Sequence, residues 1–238
     1  MATVYRGRGP TSRVLVKESS KGHQRTLRVS NTLASVYTPG ESSTGVVWEA
    51  MSLGVLLLGK KQPKVLVLGL AGASVVRGVL ALNPRSEFVG VEIDAEVVAT
   101  SLEWFDLATL PVKIDISDAA NFIESSRRKF DLIIEDIFVG TGRHLSKPDW
   151  LPSPGLEKIN RLLHNGGLLV SNSLDDSRAN AAEFRRQFKS RVLIDIEGWD
   201  NKILIGSDVK ISGRSLRRVV ASSSVRPSVL QKLMFKSF

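Results

Sequence analysis

Two acidic residues and a small-residue turn stand where alternating strands and helices would gather them at one edge of a sheet. Glu92 lies in Val91-Glu92-Ile93-Asp94, about twenty residues after the small-residue stretch Gly69-Leu70-Ala71-Gly72-Ala73-Ser74, and a carboxylate at that spacing can accept both hydroxyls of a ribose. Asp118-Ala119 follows the next apolar run, where the carboxylate can accept from the amino group of an adenine. Asp94 and Asp118 also have the type and position of helix N-caps, a role that for Asp118 leaves room for the ligand role. Gly69, Ala71 and Gly72 let the backbone approach a ligand, although the stretch is not the G-x-G-x-x-G of a dinucleotide fingerprint. Taken in order, a small-residue turn and two acids at three strand ends point to an adenosyl-type ligand.

Other residues with chemical potential are scattered. His144 lies in a polar loop from Gly140 to Pro154 beside Arg143, Lys147 and Trp150, as a base, an anion contact or a solvated side chain. Trp48 stands in an apolar helical stretch, where it either stacks on a ligand or fills the core. The 3 His show no metal-ligand spacing, so no metal is expected. Neither a Gly-x-Ser-x-Gly elbow nor a phosphate-cradling Gly-Lys-Ser/Thr loop is present.

The elements that would position these residues follow from the apolar patterning. Residues 1–45 read as a β-rich segment: Arg13–Lys17 and Thr26–Ser30 alternate with period two, and Leu33–Tyr37 adds a third run. Val46–Leu58 is an apolar helix. From Lys64 the chain alternates strand and helix, with continuous apolar runs at Lys64–Gly69, Glu87–Glu92, Pro111–Ile116, Phe130–Asp136 and Leu168–Ser171, as expected for strands covered on both faces. Arg191–Glu197 and Lys202–Ile205 read as a closing antiparallel pair, and residues 46–208 therefore as a doubly wound, nucleoside-binding domain.

Composition narrows the function classes. The 238 residues are 42% hydrophobic and 24% charged, which suits a globular domain of this length, and no apolar run reaches the ~20 residues of a membrane helix. With 0 Cys, disulfides, thiol nucleophiles and Cys-ligated metals are excluded. Together with a start that lacks the apolar core of a secretory signal, this leads to the expectation of a cytoplasmic protein without membrane partners. The net charge of +9 is concentrated at the end: Lys210, Arg214, Arg217, Arg218, Arg226, Lys232 and Lys236 are accompanied by no acid. Residues 209–238 are thus expected to form a solvated basic tail, with nucleic-acid binding as the less favoured reading.

Residues 10–206 resemble the spermidine synthase family within the S-adenosylmethionine-dependent methyltransferase folds. The likeness rests on Val46-Val47-Trp48-Glu49-Ala50-Met51, the strand and turn from Lys64 to Ser74, Val91–Asp94, Asp118-Ala119 and Phe130–Asp136. It implies an α/β fold: a Rossmann-like, doubly wound, mainly parallel seven-stranded sheet of class I methyltransferase type with a small N-terminal β-segment. It also implies a homodimer, Glu92 on the ribose, Asp118 with Ala119 at the adenine, and Asp136 near the reacting amine. The family's motifs are a Tyr-(Gln/His)-Glu-Met segment, a Gly-Gly-Gly-Asp-Gly-Gly loop and an Asp-Ser-(Ser/Thr)-Asp-Pro loop. Here Gly72 replaces the loop Asp, Val47 and Trp48 replace the Tyr and Gln/His while Glu49 is kept, and Ile137-Phe138-Val139 replaces the rest of the last motif.

These replacements shape the functional expectation. A polyamine carries two or more positive charges, and burying a cation without a paired anion costs several kcal/mol. The chain has exchanged most of the family's acids for apolar or small groups, which favours intact S-adenosylmethionine as donor and methyl transfer to an unknown acceptor. On this reading Gly72 removes a charge that would repel the donor's carboxylate, exposed N–H groups at the following helix start favour that carboxylate, and Asp136 is a general base. Trp48, Glu49, Phe138 and His144 are the acceptor-side candidates. The alternatives are a polyamine aminopropyltransferase using decarboxylated S-adenosylmethionine, its amine site rebuilt from Glu49, Glu135, Asp136 and Asp175, and a catalytically silent nucleoside-binding protein.

Overall fold

The structure is a computed structural model that describes every residue except 43, 143, 175 and 176. Four strands open the chain, β1 (Ala2–Arg8), β2 (Arg13–Glu18), β3 (Arg25–Val29) and β4 (Thr32–Tyr37), and pair consecutively into an antiparallel sheet. β1 goes beyond the sequence expectation; its largely exposed face lacks the apolar alternation that marks the next strands. The inward residues Val14, Val16, Leu27 and Tyr37 pack against Val97 and Phe105, which fastens this sheet to the body of the protein.

The body comprises α1 (Val46–Ser52), β5 (Lys64–Leu68), α2 (Ser74–Leu82), β6 (Glu87–Glu92), α3 (Ala95–Trp104), β7 (Val112–Ile116), α4 (Ala119–Ser125) and β8 (Phe130–Glu135). A short hairpin of β9 (Val139–Thr141) and β10 (His144–Ser146) follows, then α5 (Gly155–Asn160), β11 (Leu163–Ser173), α6 (Ser177–Gln187), β12 (Ser190–Ile196) and β13 (Lys202–Ser207). The chain ends with α7 (Gly213–Ala221), α8 (Pro227–Leu230) and β14 (Leu233–Ser237). The main sheet has the order β14-β12-β13-β11-β8-β5-β6-β7, parallel from β11 to β7 and antiparallel beyond. One apolar layer covers each face, as the continuous apolar strands require.

This is the expected doubly wound α/β fold, with eight strands in the sheet instead of seven. The eighth comes from the segment expected to be a solvated tail. Ser212 caps α7 through a reciprocal bond with Ser215, Leu216 and Val220 are buried, and β14 pairs with β12. The basic residues had masked an apolar set, Ile211, Leu216, Val220, Val229 and Leu233, that has nowhere to go but the core. Among the described residues no helix is long and apolar enough to cross a membrane, and no cluster of three His, Asp or Glu could hold a metal.

The chain leaves β5 toward β6 and β7 and then returns to place β8 on the other side of β5. That reversal opens a crevice at the carboxyl ends of β5 and β8, where open parallel sheets bind ligands.

Candidate functional site

A cavity of about 570 Å³ fills this crevice, roofed by the N-terminal sheet and the β9–β10 hairpin. Gly69 ends β5 with φ of 86°, and a Cβ there would lie 2.6 Å from the Asp136 carbonyl oxygen, so only glycine lets the two strand ends close on each other. The Asp136 N–H donates to the Leu68 carbonyl at 2.9 Å, which brings the first and fourth of the chemically interesting strand ends side by side.

Glu92 behaves as a prepared acceptor. Its Oε2 takes the Ala71 N–H at 2.9 Å and its Oε1 takes the Asp94 N–H at 3.2 Å. Each oxygen keeps a further lone pair for a hydroxyl of a ligand. Burial pushes the Glu92 carboxyl up, and the N–H groups of Ala71, Asp94 and Ile93 pull part of that back. Ala71 sits at φ 44°, a strained conformation for an alanine, held by its N–H on Glu92 and by its carbonyl, which accepts from the Ser101 hydroxyl. Asp118 caps α4 by accepting the Ala120 N–H at 2.6 Å and, with Ser117 and Ala119, lines the cavity at the end of β7. Asp94 caps α3 and also accepts the hydroxyls of Thr11 and Ser12 at 2.9 and 2.5 Å. Burial opposes its ionisation, but these donors outweigh it and hold the carboxyl below the usual range.

Gly72 departs from expectation. It does not line the cavity; its N–H donates to the Ser35 hydroxyl at 2.8 Å, so it is not an exposed donor for a ligand carboxylate. β4 lies across this turn, a long-range packing event that the turn's own residues do not announce. A Cβ at Gly72 would stand 2.8 Å from the Ser35 Cβ and 3.2 Å from the Phe105 ring. Gly72→Asp should therefore not rebuild a donor contact. Overpacking and a buried charge should lower stability by about 3 kcal/mol, read by urea unfolding; an unchanged midpoint would show that β4 yields.

Asp136 faces the other half of the cavity. Its carboxylate accepts the Asn172 side-chain N–H at 2.8 Å, and Asn172 in turn accepts from Asn201 at 2.9 Å. Burial pushes the Asp136 carboxyl up; Asn172, the Lys147 charge and the Trp48 indole N–H pull part of it back, while Glu135 adds to the push. Trp48 is thus neither plain core nor a free stacking platform: it is buried, lines the cavity, and its indole favours the ionised form of Asp136. Around this acid the wall is apolar, with Trp48, Phe138, Leu145, Trp150, Leu174 and Trp199.

Behind that wall lies a buried ion pair. Lys147 Nζ is 2.7 Å from Glu135 Oε1, donates to the Ile137 carbonyl at 3.0 Å and sits 4.0 Å from the centre of the Phe138 ring. The second Glu135 oxygen accepts the Ser171 hydroxyl at 2.7 Å. Between Ile137 and Lys147 the β9–β10 hairpin reaches over to the N-terminal sheet, where the Gly142 N–H donates to the Ser30 carbonyl at 3.1 Å.

Two acceptor-side candidates leave the site. His144 is exposed and outside the cavity lining; alternation along β10 turns its neighbour Leu145 inward instead. Glu49 also lies outside the lining, accepting the Thr44 N–H and pairing with Arg226 at 2.8 Å, a partner supplied by the folded C-terminal segment. Arg143 and Asp175 fall outside the described residues. Asn172, Asn201, Trp150 and Trp199 went unremarked as site residues in the sequence, or were noted only as neighbours. Asn172 was within reach of the same strand-end logic, since it closes the fifth apolar run; Asn201 and Trp199 arrive through a turn whose direction is set by β12 and β13.

Residues 47–185 match the family described as Spermine/spermidine synthase domain. A polyamine aminopropyltransferase of Hamiltonella defensa subsp. Acyrthosiphon pisum (strain 5AT) is 33% identical over 135 residues, which are 52% of this chain and 44% of that protein. The chain thus matches less than half the length of that relative. Among solved structures, a probable spermidine synthase from Corynebacterium glutamicum ATCC 13032 superposes with a TM-score of 0.79 at 22% identity, covering 99% of this chain and 90% of that one. Human methyltransferase-like protein 13 in complex with SAH gives 0.62 at 23% identity, covering 79% and 90%. At these identities the structural likenesses speak for the fold.

Proposed function

Since this chain belongs to the spermine/spermidine synthase domain family, we propose that it is a transferase that binds an S-adenosyl donor at Glu92 and Asp118 and moves the methyl group to an acceptor held against Asp136. One observation carries the choice of methyl over aminopropyl transfer. Among the described residues, Asp136 is the sole carboxylate on the apolar half of the cavity. Of the other acids from which a polyamine site would be rebuilt, Glu49 is paired with Arg226 and Glu135 with Lys147, and Asp175 lies outside the described residues. The Gly72 contribution to the argument falls away with its burial, so the reading rests on the acceptor side.

The residues present fit the donor. Glu92 offers free lone pairs to ribose hydroxyls, and Asp118 keeps an oxygen beyond its cap for an amino group. The bound donor supplies an electrophilic methyl on a sulfonium. The chain's own work is to align the acceptor and take its proton. Asp136 does the second, oriented by Asn172, which Asn201 holds in turn.

Calorimetry with S-adenosylmethionine and its decarboxylated analogue tests the reading, and tighter binding of the decarboxylated donor would overturn it. In the same assay Glu92→Ala is expected to weaken S-adenosylhomocysteine binding about 10- to 100-fold, the worth of charge-assisted bonds to two hydroxyls. Unchanged affinity would remove Glu92 from the donor site.

A further inference from the structure

The Lys147–Glu135 pair is enclosed, with side chains 3% and 1% exposed, and it lies directly behind the acceptor wall. Its ammonium has three ligands of the kind an amine substrate would seek: a carboxylate, a backbone carbonyl and an aromatic face. Glu135 and Asp136 are consecutive, and both feel this charge field. We propose that Lys147 is a specificity-determining residue, supplying from within the protein the cation that the acids Glu135 and Asp136 demand, so that the acceptor is an apolar-bodied molecule with no more than one positive charge.

The charge balance follows from position. Lys147 cancels Glu135 and lowers the cost of ionising Asp136. A dication entering beside it would meet, among the described residues, one remaining acid, a like charge, and a wall of Trp48, Phe138, Trp150 and Trp199. A neutral or singly charged acceptor needs only Asp136 for its reacting group and apolar contact for the rest. The inference rests on the reading that the acceptor lies against Asp136.

Lys147→Ala tests it by removing the side chain beyond Cβ, an n-propylammonium in shape. The variant should lose about 10 °C in melting temperature because Glu135 is left buried and unpaired. n-Propylammonium and putrescine should each recover much of that loss, and putrescine should bind the variant while wild type refuses it at the same millimolar concentration. Lys147→Ala/Glu135→Gln should regain stability and respond to neither amine. If Lys147→Ala does not fold unaided, refolding with n-propylammonium present is the equivalent test, with the folded double variant as control. Putrescine binding to wild type, or no response of Lys147→Ala to either amine, overturns the proposal. S-adenosylhomocysteine titrated into the same proteins keeps the two readings apart. Its failure to bind wild type counts against the donor site and leaves the amine comparison intact.

Discussion

Asp136→Asn is expected to cut methyl transfer about 10²- to 10⁴-fold, the usual worth of a positioned general base, with donor affinity essentially unchanged. The substitution preserves shape but not chemistry. An amide oxygen can still accept from Asn172, but the amide carries no charge and nothing remains to take a proton. Transfer of a labelled methyl group into a small-molecule extract measures the first quantity, and S-adenosylhomocysteine calorimetry the second. A retained rate would remove Asp136 from the mechanism.

The pH dependence of wild type carries the same argument with a sign. Burial raises the Asp136 carboxyl above its ordinary value of 3.8, and the base works only when ionised. Activity should therefore fall on acidification at a pH above the ordinary aspartate range. Glu135→Gln removes a like charge and should move that acid limb to lower pH. A limb that stays in place would show that the two acids do not sense each other.

The second large effect is expected at Arg77, which is buried beneath the glycine turn. Its guanidinium donates to the Gly72 carbonyl at 2.7 Å and to the Phe105 carbonyl, and lies 4.6 Å from the centre of the Tyr37 ring. The Tyr37 hydroxyl in turn donates to Asp106. Arg77→Ala strands two carbonyls, each costing ~1–3 kcal/mol, and removes a packed stem, for a total near ~4 kcal/mol. Arg77→Lys should recover less than half, because an ammonium cannot reproduce the fork that joins two carbonyls. The Gly72 carbonyl belongs to the turn that aims the Ala71 N–H at Glu92, so donor affinity should fall alongside stability. Urea unfolding and calorimetry read the two, and a loss below ~1 kcal/mol would make Arg77 a bystander.

Arg77 also shows where sequence reading stops. It sits in the apolar helix α2, whose own residues give no sign that the glycine turn, the end of α3 and β4 converge on it. The C-terminal segment went astray for a related reason. Its seven basic residues dominate the composition, while the spacing of Leu216 and Val220 and the alternation through Leu233 dictate where it packs. Glu49 and His144 look like site residues by their types. The first is drawn off by Arg226, 177 positions away, and the second is turned outward by strand alternation.

What the sequence determined by itself was the edge of the sheet. Period-two and period-3.6 patterns are local, connections between strands are short, and a parallel strand must deliver its last residue to the carboxyl side. Glu92, Asp118 and Asp136 therefore stand at strand ends on the sequence alone, with the role of Asp136 implied by the family resemblance. The tertiary structure alone decided their company. Asn172 lies 36 residues from Asp136 in the chain and Ser35 lies 37 from Gly72, and Lys147 reaches Glu135 by folding a hairpin back on its own strand. Such pairings depend on how whole layers stack, a property that no local period encodes.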